Sequence, residues 1–415
     1  MVSDQEKLNE SLLEASKRGD FEAAKKSLKV GANVNYQNNY SQSALMLASN
    51  TQIVDLLIKS SADVNLMDDN GESVLMQSDN PQIVDLLIKS GADVNLVSNN
   101  GTSPLGNAVN PQSWEQNPEI VDLLIKGGAN INYQNNYSQS ALMLASKTQT
   151  IELLIKAGAD VNAKDSEGNS KLMLATNPQT VDLLIKAGAD VNVINNKGES
   201  PLMRTQDPQT AGLLIKAGAD VNRTDKNGAT PLMRSENSFL SDLLIKAGSD
   251  VNHKNIYGNS LLMHSDDPRI TDLAIRAGAD VNVKDSNGTS VLMQKLVLEE
   301  HFYTGSYRHE VVEQLVHAGA DVNYQSPSDL KTPLMLVEDL SDAQFLLAAG
   351  ADISAKDAQG MKPHEQEKFN DHPYIQNYLK SAYENHALNQ AAQSSTYELD
   401  DEYEYEPVVN QRQRI

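Results

Sequence analysis

The feature that most constrains this chain is a ten-residue phrase that returns about every 30 residues. At Leu183 to Asn192 the phrase is Leu-Leu-Ile-Lys-Ala-Gly-Ala-Asp-Val-Asn. It returns at Leu213 to Asn222 and, with one Ser for Ala, at Leu243 to Asn252. Looser copies end at Asn35, Asn65, Asn95, Asn132, Asn162, Asn282, Asn323 and, in degraded form, Ser354. A fixed period of this length predicts a row of small stacked units without a single central core.

Each phrase has the pattern of a helix end followed by a turn. Apolar residues such as Leu184 recur on one face of the predicted helix, and charged residues lie on the other. Gly188 stands where a helix closes with a left-handed residue, which glycine adopts without steric cost. Asp190 and Asn192 then predict side-chain-to-backbone hydrogen bonds within the turn.

A second signal follows each turn. Gly198 is followed by Ser200-Pro201-Leu202-Met203. Serine is a good N-cap, and proline is favoured at the first helical position. The same Ser or Thr start recurs at Ser43, Ser73, Ser103, Ser140, Ser170, Thr230, Ser260, Ser290 and Thr332. Each unit is therefore predicted to be a turn, a short helix, a tight link and a second helix.

This combination, Gly-x-Ser/Thr-Pro-Leu, then an apolar second helix and Gly-Ala-Asp-Val-Asn, resembles the ankyrin repeat. In that family, pairs of antiparallel helices stack and hairpin-like loops project from one edge. The resemblance runs from about Leu8 to about Ala382. It implies an all-α ankyrin-repeat solenoid of about twelve helix pairs, and it says little about chemistry. We expect a capping unit over 1–35, the array over 36–385 and a disordered acidic tail over 386–415.

The chain departs from the family in its period and in one repeated residue. Most units have 30 residues where the family has about 33, and the missing three fall between the helices. Three residues are close to one turn, so we expect a first helix one turn short, stopped by Pro178. The family's His after Pro-Leu is Met at Met46, Met76, Met143, Met173, Met203, Met233, Met263, Met293 and Met335. One Met per unit forms an evenly spaced row, which favours core packing over a soft-metal site.

The repeated asparagine has a second interpretation. The spacing from Leu184 to Asp190-Val191-Asn192 resembles the pattern that an asparagine hydroxylase of animal cells modifies in ankyrin repeats. The pattern comes with the repeat itself, so turn chemistry alone also accounts for it.

Composition excludes several function classes. The net charge of -22 argues against nucleic acid as a partner, because phosphate binding requires a basic surface. The chain has no cysteine, which excludes disulfides, thiolate zinc sites and a Cys nucleophile and suits a reducing, cytoplasmic environment. No apolar run of 18 or more residues predicts a membrane span, and no charged-then-apolar leader is seen.

No Gly-rich loop after a strand and no metalloprotease motif occur, so we predict no enzyme, catalytic residue, metal or cofactor.

Two units are longer than the rest and are candidates for binding a partner. The unit near 101–129 is seven residues longer than its neighbours and holds Trp114, the only tryptophan. Trp114 is either an interface anchor in an exposed loop or a cover for the neighbouring short helices.

The second long unit, near 289–323, is predicted to restore and extend the first helix. Its stretch 294–317 gathers His301, Phe302, Tyr303, Tyr307, Arg308 and His309. The eight-residue spacing of His301, His309 and His317 matches no familiar zinc site. An aromatic and basic protrusion that contacts a partner is the preferred interpretation. The alternative is a catalytic or inhibitory effector that acts through this insertion.

A basic strip is predicted in the most regular units. The residue after the repeated Met is Leu in several units but Arg204, Arg234 and His264 in three consecutive ones. Loop residues in the same region are Arg223, Lys226, His253 and Lys254. Because residues one period apart lie above one another, these side chains would face an acidic segment of a partner or a phosphate group. The alternative is local neutralisation by Asp207, Glu236, Asp266 and Asp267.

One stretch of fifteen residues occurs twice. Asn35 to Ser49 is identical to Asn132 to Ser146, 97 residues away. The copies carry Tyr36 and Tyr40, and Tyr133 and Tyr137, on the predicted loops. Tyrosine is favoured at interfaces, so these loops either contact a partner or record a duplication without a purpose.

The C-terminal tail changes character after residue 385. Its stretch 393–407 has little apolar content and many acids, which predicts disorder. A Glu-rich block near a C-terminus resembles the export signal of effectors that intracellular bacteria inject into host cells, among which ankyrin proteins are frequent. The resemblance implies a secreted virulence effector, delivered by type IV secretion to the host cytosol. Alternatively the tail is merely solvated, or Tyr403 and Tyr405 are kinase substrates.

We therefore expect a monomeric interaction scaffold that binds a host protein through its loops and concave face.

Overall fold

The computed structural model describes residues 3–110, 117–297 and 306–400. Within these ranges the regular structure is helical, with isolated antiparallel bridges at the loops. The chain divides into two compact units, Met1–Asp220 and Val221–Ile415. No helix in these ranges combines the length and the apolar character that crossing a bilayer requires.

The second helix of each repeat is the more regular element. In the first unit these helices are Phe21–Val30, Thr51–Lys59, Pro81–Lys89, Pro118–Lys126, Thr148–Lys156, Pro178–Lys186 and Pro208–Lys216. In the second unit they are Ser238–Lys246, Pro268–Arg276, Ser306–His317 and Leu340–Ala348. Consecutive second helices within a unit pack side by side. Each buries a central apolar residue, such as Leu184 or Leu244, which favours folding by about 2 kcal/mol.

The first helices are short, as predicted. After Asp4–Arg18, those of the first unit are Val74–Gln77, Pro104–Ala108, Ala141–Leu144, Lys171–Leu174 and Pro201–Arg204. Those of the second unit are the 3₁₀ turn Leu232–Arg234, then Leu261–His264, Val291–Leu296, Pro333–Leu336 and the 3₁₀ turn Pro363–Glu365. The described first helix of the long unit, Val291–Leu296, has six residues. The prediction that this unit restores and extends a full first helix is therefore wrong for the described residues.

The role predicted for Pro178 is also wrong. The first helix of that repeat ends at Leu174, and Ala175 already has extended backbone. Pro178 is the first residue of the second helix, behind the N-cap Asn177. Proline has no N–H, and the first turn of a helix has no partner for one, so Pro178 begins a helix at no cost.

The short helices leave their last carbonyl groups without helical partners, and the next repeat supplies the donors. The ammonium group of Lys171 is buried and donates to the carbonyls of Met143 and Ala145. Equivalent bonds run from Asn107 to Met76, from Lys295 to Met263 and Ser265, and from Lys368 to Leu336. These side chains replace the missing turn as hydrogen-bond donors.

The repeated methionines belong to the core. Apart from the half-buried Met46, all of those named in the sequence are at most 6% exposed. Packing as the role of these residues is confirmed.

The two ends of the described chain are closed by longer helices. At the start, Asp4–Arg18 and Phe21–Val30 form a full-length pair joined at Gly19. At the other end, the 3₁₀ turn Glu367–Asp371 precedes the helix Pro373–Asp400. Ile375 and Leu379 are fully buried, as expected for residues that cover the last repeat. Tyr374 lies on the outer face of the same helix and is exposed.

The last helix runs past residue 385, where the acidic tail was predicted to begin. Tyr383 is the last side chain seen to pack, with its ring stacked on His364 and its hydroxyl bonded to Lys362. Residues 384–391 are exposed, yet the helix continues to Asp400 because this stretch is rich in helix-forming Ala, Leu and Gln. The predicted disorder of 401–415 concerns residues outside the described ranges.

Candidate functional site

An asparagine ladder fixes the loops that project from the helix pairs. From Asn65 to Asn323, the last residue of each phrase accepts a hydrogen bond from a backbone N–H of the next repeat and donates to a glycine carbonyl there. Asn162, for example, accepts from Asp190 N–H at 2.8 Å and donates to Gly188 O at 3.2 Å. The prediction that this asparagine closes its own turn is wrong. Only the aspartate does so, as when Asp190 accepts from Asn192 N–H.

The tips of the loops are stacked as closely as their bases. Within the second unit, Ile256 N–H donates to Asn227 O at 3.1 Å, and Ser286 N–H donates to Tyr257 O at 2.9 Å. Gly258 has a φ of +79°, and a Cβ there would lie 2.7 Å from Ser286 N. The tips are therefore held at a fixed spacing by backbone contacts, which makes them a preorganised surface.

Most of the second helices pair their last cation with an acid of the same helix. Seven of these helices carry a Lys or Arg in the last turn bonded to an acid four residues earlier. Asp182 and Lys186 illustrate the pattern at 2.6 Å. Both side chains are exposed, so such pairs stabilise the helix only weakly.

The helix pairs, glycine-closed turns and projecting loops are matched by a family model described as ankyrin repeats, in three copies, over residues 12–98, 76–165 and 172–255. These matches cover more than half of the chain. The chain belongs to the ankyrin repeat family. Ankyrin repeats generally mediate protein–protein interaction, and the fold is typically non-catalytic. No curated protein matches the sequence.

The arginines of the predicted basic strip are paired with acids of their own repeats. In the first unit, Arg204 lies 3.2 Å from Glu199. In the second unit, Arg234 binds Asp225, whose side chain is 1% exposed. Three of the four acids named as alternatives for neutralising the strip have other roles. Asp207 and Asp267 are N-caps of second helices, and Asp266 pairs with Lys295.

The Arg234–Asp225 pair takes the place of a hydrogen bond from glutamine to aspartate that is found in other ankyrin repeats of this chain. Gln77 donates to Asp68 at 2.8 Å, and Gln366 donates to Asp357 at 2.9 Å, each pair nine residues apart as in Arg234 and Asp225. The contact ties the short first helix to the projecting loop. Arg234 therefore has a structural role in addition to its charge.

Two further residues of the predicted strip, His253 and Lys254, donate hydrogen bonds to backbone carbonyls. His253 Nε2 donates to Gly228 O at 2.8 Å, and Lys254 Nζ lies 3.5 Å from Lys284 O. His264 is exposed, but partial burial of its ring lowers its pKa, and the charges of Lys295 and Arg234 act in the same direction. Protonation of His264 is therefore less favourable than that of a free histidine.

The described part of the second unit leaves one basic and apolar surface on its loop tips. We call Arg223, Lys226, Lys254, Ile256 and Tyr257 the basic fingertip surface. No side-chain hydrogen bond or ion pair is seen for Arg223 or Lys226 among the described residues, and Lys226 is exposed. Ile256 is 61% exposed and Tyr257 is 57% exposed, which is unusual for such residues on a stacked scaffold.

Sequence reasoning missed the apolar members of this region. Ile256 and Tyr257 replace polar tip residues of most other repeats. Phe239, which is 75% exposed, takes the second position of its helix. In other repeats that position is always polar, at Gln52, Gln82, Glu119, Gln149, Gln179, Gln209 and Arg269. An alignment of the repeats with one another would have revealed all three substitutions.

The remaining predicted binding residues fall in or near the two long repeats. Trp114, His301, Phe302 and Tyr303 lie outside the described residues. Tyr307 is exposed at the start of the helix Ser306–His317.

Arg308 and His309 converge on the buried carboxylate of Asp342. His309 Nδ1 donates to its Oδ1 at 2.7 Å, and Arg308 Nη2 lies 3.5 Å from its Oδ2. Arg308 also donates to Leu296 O, so both side chains hold neighbouring elements together. The described ranges contain no group of three or more His, Asp or Glu side chains able to hold a metal ion.

Proposed function

We propose that this ankyrin array is an interaction scaffold whose basic fingertip surface binds an acidic segment of a partner protein. The observation that carries the proposal is where the positive charges lie. Seven of the second helices pair their last Lys or Arg with an acid on the same helix, whereas Arg223, Lys226 and Lys254 lie on the projecting loops. Charge on a preorganised surface mainly supplies specificity and a fast encounter with an oppositely charged partner.

The two exposed apolar residues supply the other part of the recognition. Ile256 and Tyr257 follow Lys254 in the chain, on a loop whose backbone is hydrogen-bonded to the loops on both sides. Aromatic side chains beside charged residues are typical of interface hot spots. The proposed epitope is therefore an acidic segment that also offers an apolar side chain.

Charge reversal with a matched control tests this proposal. The full chain and the Arg223→Glu/Lys226→Glu variant would serve as baits in a host-cell lysate, with Lys246→Glu/Arg276→Glu as the control of equal charge change. We expect the fingertip variant to bind the recovered partner at least about tenfold more weakly and the control to bind it normally. Equal binding by all three baits would contradict the proposal.

The delivery of the scaffold into host cells is a further part of this proposal. It is supported by the acidic sequence of 397–407 and by the frequency of ankyrin proteins among injected effectors. Deleting Tyr397 to Ile415 should abolish translocation of a reporter-tagged chain into host cells. Translocation that is unchanged by the deletion would remove this part and leave the scaffold proposal intact.

The alternative is a catalytic or inhibitory effector that acts through 294–317. The engagement of Arg308 and His309 by Asp342 favours a structural role for those two side chains. A covalent change on a partner protein that is lost in His309→Gln, with binding retained, would support the alternative.

A further inference from the structure

The first compact unit presents one surface twice. Tyr40 and Tyr137 stand on the tips of two loops with identical sequence and are 71% and 66% exposed. In both loops an asparagine side chain accepts from the backbone N–H groups of the tyrosine and of the following glutamine, all at 2.9 Å. The two tips therefore offer the same side chains in the same local geometry.

These two tips also share a strained residue. Ser41 has a φ of 54° and Ser138 has a φ of 58°, in the left-handed region where the tips between them have Gly71 and Gly101. A non-glycine residue costs about 1–2 kcal/mol in this conformation. Strain that is retained at an exposed tip points to function more than to packing.

The spacing between the two tips is fixed by the stack. The second helices Thr51–Lys59, Pro81–Lys89, Pro118–Lys126 and Thr148–Lys156 pack on one another in turn, so the tips are three steps apart. At 8–10 Å for each helix–helix step, the separation is roughly 24–30 Å.

Neighbouring loop tips in this unit also contact one another, as the second helices do. Asn99 N–H donates to Asn70 O at 2.9 Å, and a Cβ at Gly101 would lie 2.4 Å from Asn136 Oδ1. These contacts hold the intervening loops in place without any bound partner.

The charge of this loop face is opposite to that of the basic fingertip surface. The segments 31–50, 60–80, 90–110 and 127–146 contain no Lys or Arg. The acids of these segments are Asp63, Asp68, Asp69, Glu72, Asp79 and Asp93. Electrostatic complementarity therefore selects an epitope that carries Lys or Arg.

We propose that the two tyrosine tips form a bivalent site for a protein that presents the same basic epitope twice, roughly 24–30 Å apart. A symmetric dimer or a tandem-repeat protein meets this requirement. The two binding events reinforce each other, because the second occurs at a high effective concentration once the first is made. This inference rests on the proposed scaffold role but uses neither the basic fingertip surface nor its partner.

A selected peptide makes the proposal testable with the full chain. A displayed peptide library would be selected on the wild-type chain and counter-selected on Tyr40→Ala/Tyr137→Ala. Isothermal titration with the resulting peptide should give two equivalents per wild-type chain, one for each single variant and none for the double variant. Because both tyrosines are exposed, all variants should keep the wild-type thermal midpoint.

A tandem form of the peptide tests the bivalence directly. With a linker that spans the two tips, it should bind the wild-type chain about 10²–10⁴-fold more tightly than the single peptide, and this gain should vanish in either single variant. Tyr257→Ala and Arg223→Glu/Lys226→Glu should leave both results unchanged, which separates this site from the basic fingertip surface. One equivalent per wild-type chain, no gain from the tandem form, or no selected peptide that requires the tyrosines would overturn the proposal.

Discussion

The side-chain amide of Asn192 donates to the carbonyl of Gly218, 26 residues further along the chain, at 3.0 Å. The same side chain accepts from Asp220 N–H at 2.8 Å. The asparagine that ends each phrase is thus a bond between repeats, which explains why it recurs at a fixed period. It also accounts for Ser354 in the last copy, because no further projecting loop follows it among the described residues.

Removing one link of the asparagine ladder should destabilise the array. Asn192→Ala loses two hydrogen bonds, each with a net value of about 0.5–1.5 kcal/mol, so we expect a loss of about 1–3 kcal/mol in the free energy of unfolding. Chemical denaturation monitored by circular dichroism measures it. Asn39→Ala, on an exposed tip where no side-chain hydrogen bond is seen, is the control and should be neutral. Equal effects of the two changes would contradict the ladder.

A loop-tip glycine and a helix-closing glycine should differ in their tolerance of a side chain. Gly258 and Gly248 both have positive φ, at 79° and 93°, so alanine is strained at either position. Only at Gly258 does the added Cβ meet the next loop, so Gly258→Ala should cost about 1–3 kcal/mol more than Gly248→Ala. Denaturation midpoints of the two variants provide the comparison, and similar midpoints would show that the tips are not tightly stacked.

Arg234 should be replaceable by glutamine but not by alanine. Arg234→Ala leaves one oxygen of the buried Asp225 carboxylate without this donor, at a cost of about 1.5–3 kcal/mol. Arg234→Gln should cost less, because Gln77 makes the equivalent bond to Asp68. Thermal unfolding of both variants tests this order, and the reverse order would refute the structural role assigned to Arg234.

The array should become more stable as the pH rises above 8. Burial lowers the pKa of Lys171 to about 8, below its ordinary value of 10.5. Between these values the unfolded chain binds more protons at this site than the folded chain, so raising the pH favours folding. From pH 7.5 to 9.5 the gain is about 2 kcal/mol.

The contribution of this one lysine is isolated by a variant. Lys171→Met should lack the gain, so the difference between wild type and variant in denaturation midpoint should grow in favour of wild type as the pH rises. Parallel pH profiles for the two proteins would show that Lys171 does not titrate in this range.

The sequence predicted the repeat unit well and the partners of its polar residues poorly. The glycine that closes the second helix, the short first helix and the buried methionines follow from local pattern and periodicity, and the structure agrees. The bonds of Asn192 and Lys171 join residues about one repeat apart, so no local pattern specifies them. Arg234 was predicted to face a partner, whereas its side chain binds Asp225 on the preceding loop of the same repeat.

The central claim is that partner proteins contact the projecting loop tips. Hydrogen–deuterium exchange of the chain, free and bound to the partner recovered with the wild-type bait, tests it most directly. We predict added protection at the tips 223–229 and 253–258 and none on the second helix Ser238–Lys246. Protection confined to the second helices, with the tips unchanged, would contradict the account.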